Sequence, residues 1–240
     1  EIRLRVIKII LGDDYVFYQL FVEPSDAGHG GIGRKRTYVF CLHRANGVYL
    51  HDVFDMYAEI THEIQKVVST KPGNYMVATA EHIALDALAT AVSRKIPYQH
   101  GQSDLTYLLN EREVTNMRLF DQEYIKRYNR LPHYDDDLFY FLGNNFQYTK
   151  SWSAVSGKIP TYRRNTGKYI HRASMRWLTS MDKLASLGFP VTSSTATSMG
   201  VKQLPVLDVQ RAHVMSGNSM HFSNSAIVLL VGLTCFGRAV

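Results

Sequence analysis

Gly28-His29-Gly30-Gly31-Ile32-Gly33-Arg34-Lys35-Arg36-Thr37-Tyr38-Val39-Phe40 is the stretch on which the fold turns. Its first six residues satisfy the GxGxxG spacing of dinucleotide-binding folds. That motif works only where a helix N-terminus follows at once to receive a pyrophosphate. Here Arg34 to His43 is aromatic and β-branched and reads as a strand, so the glycines read as a flexible turn. Arg34 and Arg36 alternate along this otherwise apolar strand. Two guanidiniums entering a sheet need anions or acceptors, either a structural ion pair or a bound group.

Working outward, residues 1–50 read as β-rich. Arg3 to Leu11 alternates, Tyr15 to Val22 is a second strand, Thr37 to His43 a third, and Glu23 to Gly28 a turn. The pattern then changes to a helical period. Val53, Phe54, Tyr57, Ile60, Ile64, Val67 and Val68 form one stripe after the N-cap candidate Asp52. Further helices are expected from about Glu81 to Ser93 (Ile83, Ala87, Leu88, Ala91 and Val92 inward), after Ser103, and over Met117 to Tyr128. Residues 131–170 are irregular and aromatic; a helix over Ser180 to Ser186, a loop over Thr192 to Ser198 and a helix after Gly217-Asn218 close the chain.

Hydrophobic residues are 45% of 240, enough for a sizeable core, and Cys41 and Cys235 are the only cysteines. One distant pair is no disulfide framework, which points to a reduced, intracellular protein. The longest apolar run, Ala226 to Phe236, is shorter than the roughly 20 residues of a membrane span. No GxSxG is present, and the histidines lack ligand spacing. Asp135-Asp136-Asp137 cannot converge on one ion without outside ligands, so no metal is expected.

Net charge is +6 but unevenly spread: residues 138–240 hold 11 Lys/Arg against 2 Asp/Glu. From Leu138 to Met181 no acidic residue occurs, while Lys150, Lys158, Arg163, Arg164, Lys168, Arg172 and Arg176 do. Such a segment suits a polyanion, or is a solvated basic face. Lys150-Ser151-Trp152-Ser153 and Pro160 to Asn165 interleave aromatic, hydroxyl and basic side chains, as phosphate contact or an aromatic loop would require.

Three segments, in order, resemble the last three motifs of the DNA cytosine-5 methyltransferases. Gly33 to Val39 is similar to the family's Gln-x-Arg-x-Arg-x-Tyr strand. Arg176-Trp177-Leu178-Thr179-Ser180-Met181-Asp182, running to Leu187-Gly188-Phe189-Pro190, resembles Arg-x-Leu-Thr-x-x-Glu…Gln-Gly-Phe-Pro. Gly217-Asn218-Ser219-Met220 resembles the Gly-Asn-Ser/Ala segment that opens the last helix. The departures are Ile32, Asp182 and Leu187, where the family has Gln, Glu and Gln.

The resemblance implies an α/β fold: the C-terminal part of a Rossmann-like methyltransferase sheet with an inserted, mainly helical target-recognition lobe. Residues 1–44 would be the last strands of the catalytic domain, 45–170 the recognition region, and 171–240 the return to the catalytic domain. The family attacks C6 of a flipped cytosine with a cysteine thiolate and methylates C5 from S-adenosylmethionine. Arg36 matches the arginine that holds the flipped base and Arg34 its partner; Asn218 and Ser219 match positions beside the donor pocket. Lys150, Trp152, Lys158, Arg163, Arg164 and Lys168 would face duplex DNA. No Pro-Cys pair, Phe-x-Gly-x-Gly loop or Glu-Asn-Val segment occurs in the 240 residues. The isolated chain is therefore expected to be inactive. S-adenosylmethionine is expected only if a separate chain carries the N-terminal catalytic half, and a non-catalytic DNA-binding or scaffolding remnant is the alternative. An intracellular place, the nucleus if the source is eukaryotic, goes with this reading.

Overall fold

The strand expected over Tyr15 to Val22 forms, and so does its partner, which begins one residue early at Arg36. The structure, a computed structural model, describes residues 2–163 and 167–239. In chain order the elements begin with helix α1 (Ile2–Leu11), strands β1 (Tyr15–Val22), β2 (Arg36–His43) and β3 (Gly47–Tyr49), and helices α2 (Val53–Val67), α3 (Ala80–Arg94) and α4 (Glu111–Tyr128). They continue with β4 (Phe139–Phe141), α5 (Ser153–Ser156), β5 (Tyr169–His171), β6 (Arg176–Trp177) and α6 (Ser180–Ser186). Helices α7 (Ser193–Ser198), α8 (Val209–Asn218) and α9 (Phe222–Cys235) and strand β7 (Phe236–Arg238) complete the mixed α/β chain.

The chain divides into two compact units, the smaller drawn from residues 1–28, 35–69 and 220–240, the larger from 29–34 and 70–219. This grouping differs from the ranges implied by the resemblance: α2 belongs with the first strands and α9, and residues 171–219 belong with the helices before them.

In the smaller unit β1 and β2 form an antiparallel hairpin running from Tyr15–His43 to Val22–Arg36, and β3 pairs antiparallel with β7. Leu20, Val22, Val53, Ile227, Val228 and Val231 make its core. Asp52 caps α2 as expected, accepting from the backbone N–H groups of Phe54 and Asp55. Two expectations fail here. Arg3 to Leu11 is helix rather than strand: a short isoleucine-rich run carries both periods, and Leu4 and Ile7 share the helical face that lines a groove against Phe21 and Val39. Cys41, expected among apolar neighbours, lies on the exposed face of β2, while Cys235 is buried as expected and burial pushes its thiol pKa up.

The larger unit is built on the three-stranded antiparallel sheet β4-β5-β6. Phe120 from α4 stacks on Tyr140 at 4.7 Å and meets Phe146 and Trp152 edge-on or tilted, in a core that includes Ala87, Ala91, Leu105, Leu108, Ile170 and Trp177. Helix α3 lies where expected, but only Ala87 and Ala91 of its anticipated inner face are fully buried; Leu88 and Val92 are exposed. After Ser103 there is one 3-10 turn, Thr106–Leu108, instead of a third helix. Helix α4 starts at Glu111, six residues before the Met117 that the apolar pattern indicated, because Asn110 and Glu113 form a capping box there. Thr192 caps the short α7 where a loop was expected.

Phe120 is 1% exposed and makes three aromatic contacts. Phe120→Ala is expected to destabilise the larger unit by about 3–5 kcal/mol. Urea unfolding followed by tryptophan fluorescence, with Trp152 and Trp177 both in this unit, measures it.

Candidate functional site

The two arginines of the Arg34-Lys35-Arg36 segment have different fates. Arg34 is 1% exposed. Its Nε donates to the Ser219 carbonyl at 2.9 Å, and its terminal nitrogens donate to the carbonyls of Gly217 at 3.0 Å and Tyr162 at 3.1 Å, with a second contact to Ser219. The Tyr162 hydroxyl in turn shares a 2.7 Å hydrogen bond with Ser186 of α6. Burial pushes the Tyr162 phenol far up, so it stays a neutral partner.

Helix α6 is fixed by the second motif segment. Thr179 caps it in a box with Asp182, which is wholly buried. Asp182 accepts from Arg176 at 2.6 Å, from the Thr179 N–H and hydroxyl at 2.9 Å, and from the Ala78 N–H at 2.8 Å. Asp182 therefore closes an arginine pair and a helix cap at once. All three motif segments are thus joined inside the larger unit by hydrogen bonds from Arg34 through Tyr162 to α6.

Arg36, the first residue of β2, is half-buried in the smaller unit. Among the described residues its side chain donates to the Lys35 carbonyl at 2.8 Å. It lines a cleft of about 410 Å³ with Phe21, Glu23, Asp26, Lys35 and Thr37. Asp26 is held there by the Tyr57 hydroxyl at 2.9 Å and the Glu23 N–H at 2.8 Å.

Asn218 and Ser219 do not open a helix. They end α8, and the last helix begins at Phe222. Asn218 is exposed; the Ser219 hydroxyl donates to the Met215 carbonyl at 2.7 Å and its own carbonyl serves Arg34. The glycine-rich turn behaves as expected. Gly28 has φ +74°, and a Cβ there would come within 2.1 Å of the Val68 carbonyl oxygen; one on Gly31 would strike the Lys71 carbonyl carbon at 2.4 Å.

The basic segment is largely neutralised from outside itself. Lys150 pairs with Glu123 at 2.9 Å, Arg172 with Asp121 at 2.7 Å, Arg176 with Asp182 at 2.6 Å, and Lys168 lies 3.9 Å from Asp86. A run without acidic neighbours in sequence has acquired them from α3, α4 and α6. Trp152 is 6% exposed in the aromatic core and cannot stack on a base. Lys168 is likewise directed inward, to Thr90 and over the Trp177 ring. Lys158 is half-buried, Arg163 is exposed with a 3.1 Å bond to Asn144, and Arg164 lies outside the described residues. Asp135 and Asp137 serve Tyr124, Arg130 and the Gly73 N–H, and among the described residues no acidic, histidine or cysteine group is arranged to hold a metal. No described helix is long and apolar enough to cross a membrane.

Sequence reasoning missed Ser186, Asp86 and Lys183. Asp86 was detectable as a carboxylate inside the apolar face of α3, one residue before the buried Ala87. Ser186 carried no signal beyond its place in the matched segment.

Arg34→Met should leave three buried carbonyls unsatisfied and destabilise the larger unit by about 3–5 kcal/mol, while Arg36→Met should change stability by less than about 0.5 kcal/mol. Parallel urea titrations of the two variants check the contrast.

Proposed function

We infer the function from the motif segments and their geometry, since the chain matches no family model and no curated sequence.

We propose that the chain forms the target-recognition and C-terminal part of a DNA cytosine-5 methyltransferase. The observation that carries the reading is the hydrogen-bonded meeting of the three motif segments: Arg34 on the carbonyls of Gly217 and Ser219, and through Tyr162 on the helix that Thr179 and Asp182 open. Residues more than 180 apart in sequence are drawn together by the arginine that the resemblance singles out. Chance similarity of three short motifs gives no reason for such convergence.

In this reading Arg34 is a positioning residue, and Arg36 is the one whose guanidinium meets the flipped cytosine. A fixed cation there stabilises charge that a nucleophile's attack develops on the ring. DNA contact centres on Arg36 and Arg163, with Lys158 and Arg164 kept only as the resemblance implies them, since Lys150, Lys168, Arg172 and Arg176 serve ion pairs. The β1–β2 hairpin supports the larger-sheet part of the proposal. Among the described residues β1 and β2 pair only with each other, and Phe21 on β1 and Leu229 and Leu233 on α9 are 75%, 64% and 73% exposed. Unpaired strand edges and exposed apolar side chains suit a sheet that continues elsewhere. S-adenosylmethionine belongs to the proposal only together with residues outside these 240. Ser219 has its hydroxyl and carbonyl committed, and Asn218 alone is no site for the donor. A non-catalytic DNA-binding role is the alternative that the absence of a Pro-Cys pair from these residues leaves standing.

Two measurements test this reading. Binding of a fluorescent cytosine-containing duplex should weaken as salt rises, and Arg163→Ala should lower the log–log slope by about 0.9. Labelled S-adenosylmethionine should give no methyl transfer with these 240 residues alone. A chain indifferent to DNA, or robust transfer abolished by Cys41→Ser, would overturn the assignment.

A further inference from the structure

A cavity of about 170 Å³ opens in the larger unit where α3, α6 and α8 meet. Exposed Ala89, Ser93 and Gln210 are among its lining residues, and so are the buried Asp86, Thr90 and Lys183 and the half-buried Lys168. Lys168 Nζ donates to the Thr90 hydroxyl at 2.8 Å, stands 3.9 Å from Asp86 and lies 4.0 Å over the Trp177 ring. Lys183 is 4% exposed, with Nζ 3.2 Å from His213 Nδ1. An ammonium has no acceptor, so Lys183 donates and His213 takes the bond on an unprotonated Nδ1.

Charge balance decides what the cavity does. Asp86 accepts from the Trp177 indole, the Ser180 N–H and the Ser180 hydroxyl, and it is the carboxylate nearest both lysines. The neighbouring carboxylates are committed: Glu113 binds Arg94 at 2.6 and 2.9 Å, and Asp182 binds Arg176. Four cations, Arg94, Arg176, Lys168 and Lys183, thus face three carboxylates, Asp86, Glu113 and Asp182. A buried cation in excess is costly unless it loses its proton or gains an anion. A solvent-open cavity of this size admits a tetrahedral oxyanion, and ammonium groups are point-charge donors suited to one.

We propose that this cavity is a binding site for a phosphate- or sulfate-like oxyanion, held by the ammonium groups of Lys168 and Lys183. The site stands apart from the methyltransferase reading, and its test needs no methyl transfer. Burial holds the Lys168 pKa down to about 8, with Asp86 and Glu113 opposing and Lys183 and Arg94 adding to the effect. Lys168 is therefore charged below that pH and loses its hold on the anion above it.

Inorganic sulfate is the probe, because its charge is constant across this range. Thermal unfolding of the whole chain, with sulfate replacing chloride at constant ionic strength, should give a saturable rise in Tm. Saturation separates binding from the unsaturable stabilisation that sulfate gives any protein. Lys168→Met and Lys183→Met should each weaken the apparent affinity about tenfold or more. Ser93→Asp, an exposed substitution that leaves the buried contacts in place, should weaken it too and covers the case in which a lysine variant fails to fold. Affinity should also fall as pH rises through about 8. Competition by a short DNA duplex would assign the oxyanion to a nucleic-acid backbone, and lack of competition to a free anion. An unsaturable response, one equal in all variants, or one indifferent to pH would overturn the site.

Discussion

The larger unit depends on a guanidinium that has left water. Arg34 enters from a six-residue segment that the smaller unit flanks on both sides in sequence, and its donors are met by backbone carbonyls rather than by a carboxylate. Carbonyls at Gly217 and Ser219 sit at the end of α8, where the last turn of a helix leaves acceptors without intrahelical partners. A cation there is favoured by the helix dipole as well as by the hydrogen bonds. One side chain thus ends a helix, anchors the Tyr162 loop and fixes the segment that leads into β2. Its geometry also requires the close passage that Gly28 and Gly31 allow, since a side chain at either would collide with residues 68 or 71.

The same accounting explains why the charge run was a poor guide to a surface. Counting along the chain found seven basic residues without an acidic neighbour, but neighbours in sequence are not neighbours in space. Asp86, Asp121 and Glu123 come from helices 82, 51 and 27 residues away from the partners they meet, Lys168, Arg172 and Lys150. Much of the electrostatic potential that would steer a polyanion is therefore spent internally.

Local signals were legible where one residue type admits one solution. Asp52 marked the start of α2 because a cap needs an oxygen to accept the first backbone N–H groups. The hairpin was legible because β1 and β2 are aromatic and β-branched over eight residues each. The first eleven residues misled because a short isoleucine-rich run satisfies the helix period as well as the strand period, and Ile7, Ile9 and Ile10 stay exposed on the helix that forms. Trp152 misled for a related reason: among serines and lysines it read as a surface ring, yet Phe120, Tyr124 and Tyr140 enclose it. Of the candidate site, the residue types and their order could be read. Which arginine is buried could not, because Arg34 and Arg36 are chemically alike and only the carbonyls of distant segments tell them apart.

The buried cluster around Asp86 makes the stability of the fold rise with pH through two separate windows, one acidic and one alkaline. Burial alone would raise the Asp86 pKa, but Lys168, Lys183, the Trp177 indole and the Ser180 N–H outweigh it and the net shift is downward. A carboxylate shifted down contributes stability above its unfolded pKa and loses it as pH falls through the folded value. Lys168 is shifted down as well, and for a cation that has the opposite sense: folding resists its charge, so stability rises as pH climbs from about 8 toward the ordinary lysine range. Lys183, shifted down chiefly by burial, acts in the same sense. Both effects make the neutral-to-alkaline side the stable one. Near neutral pH the Asp86 carboxylate is ionised, and Lys168, with its pKa at about 8, still carries its charge against its burial. That residual positive charge, with one carboxylate between two lysines, is the state in which an anion entering the cavity would relieve the most.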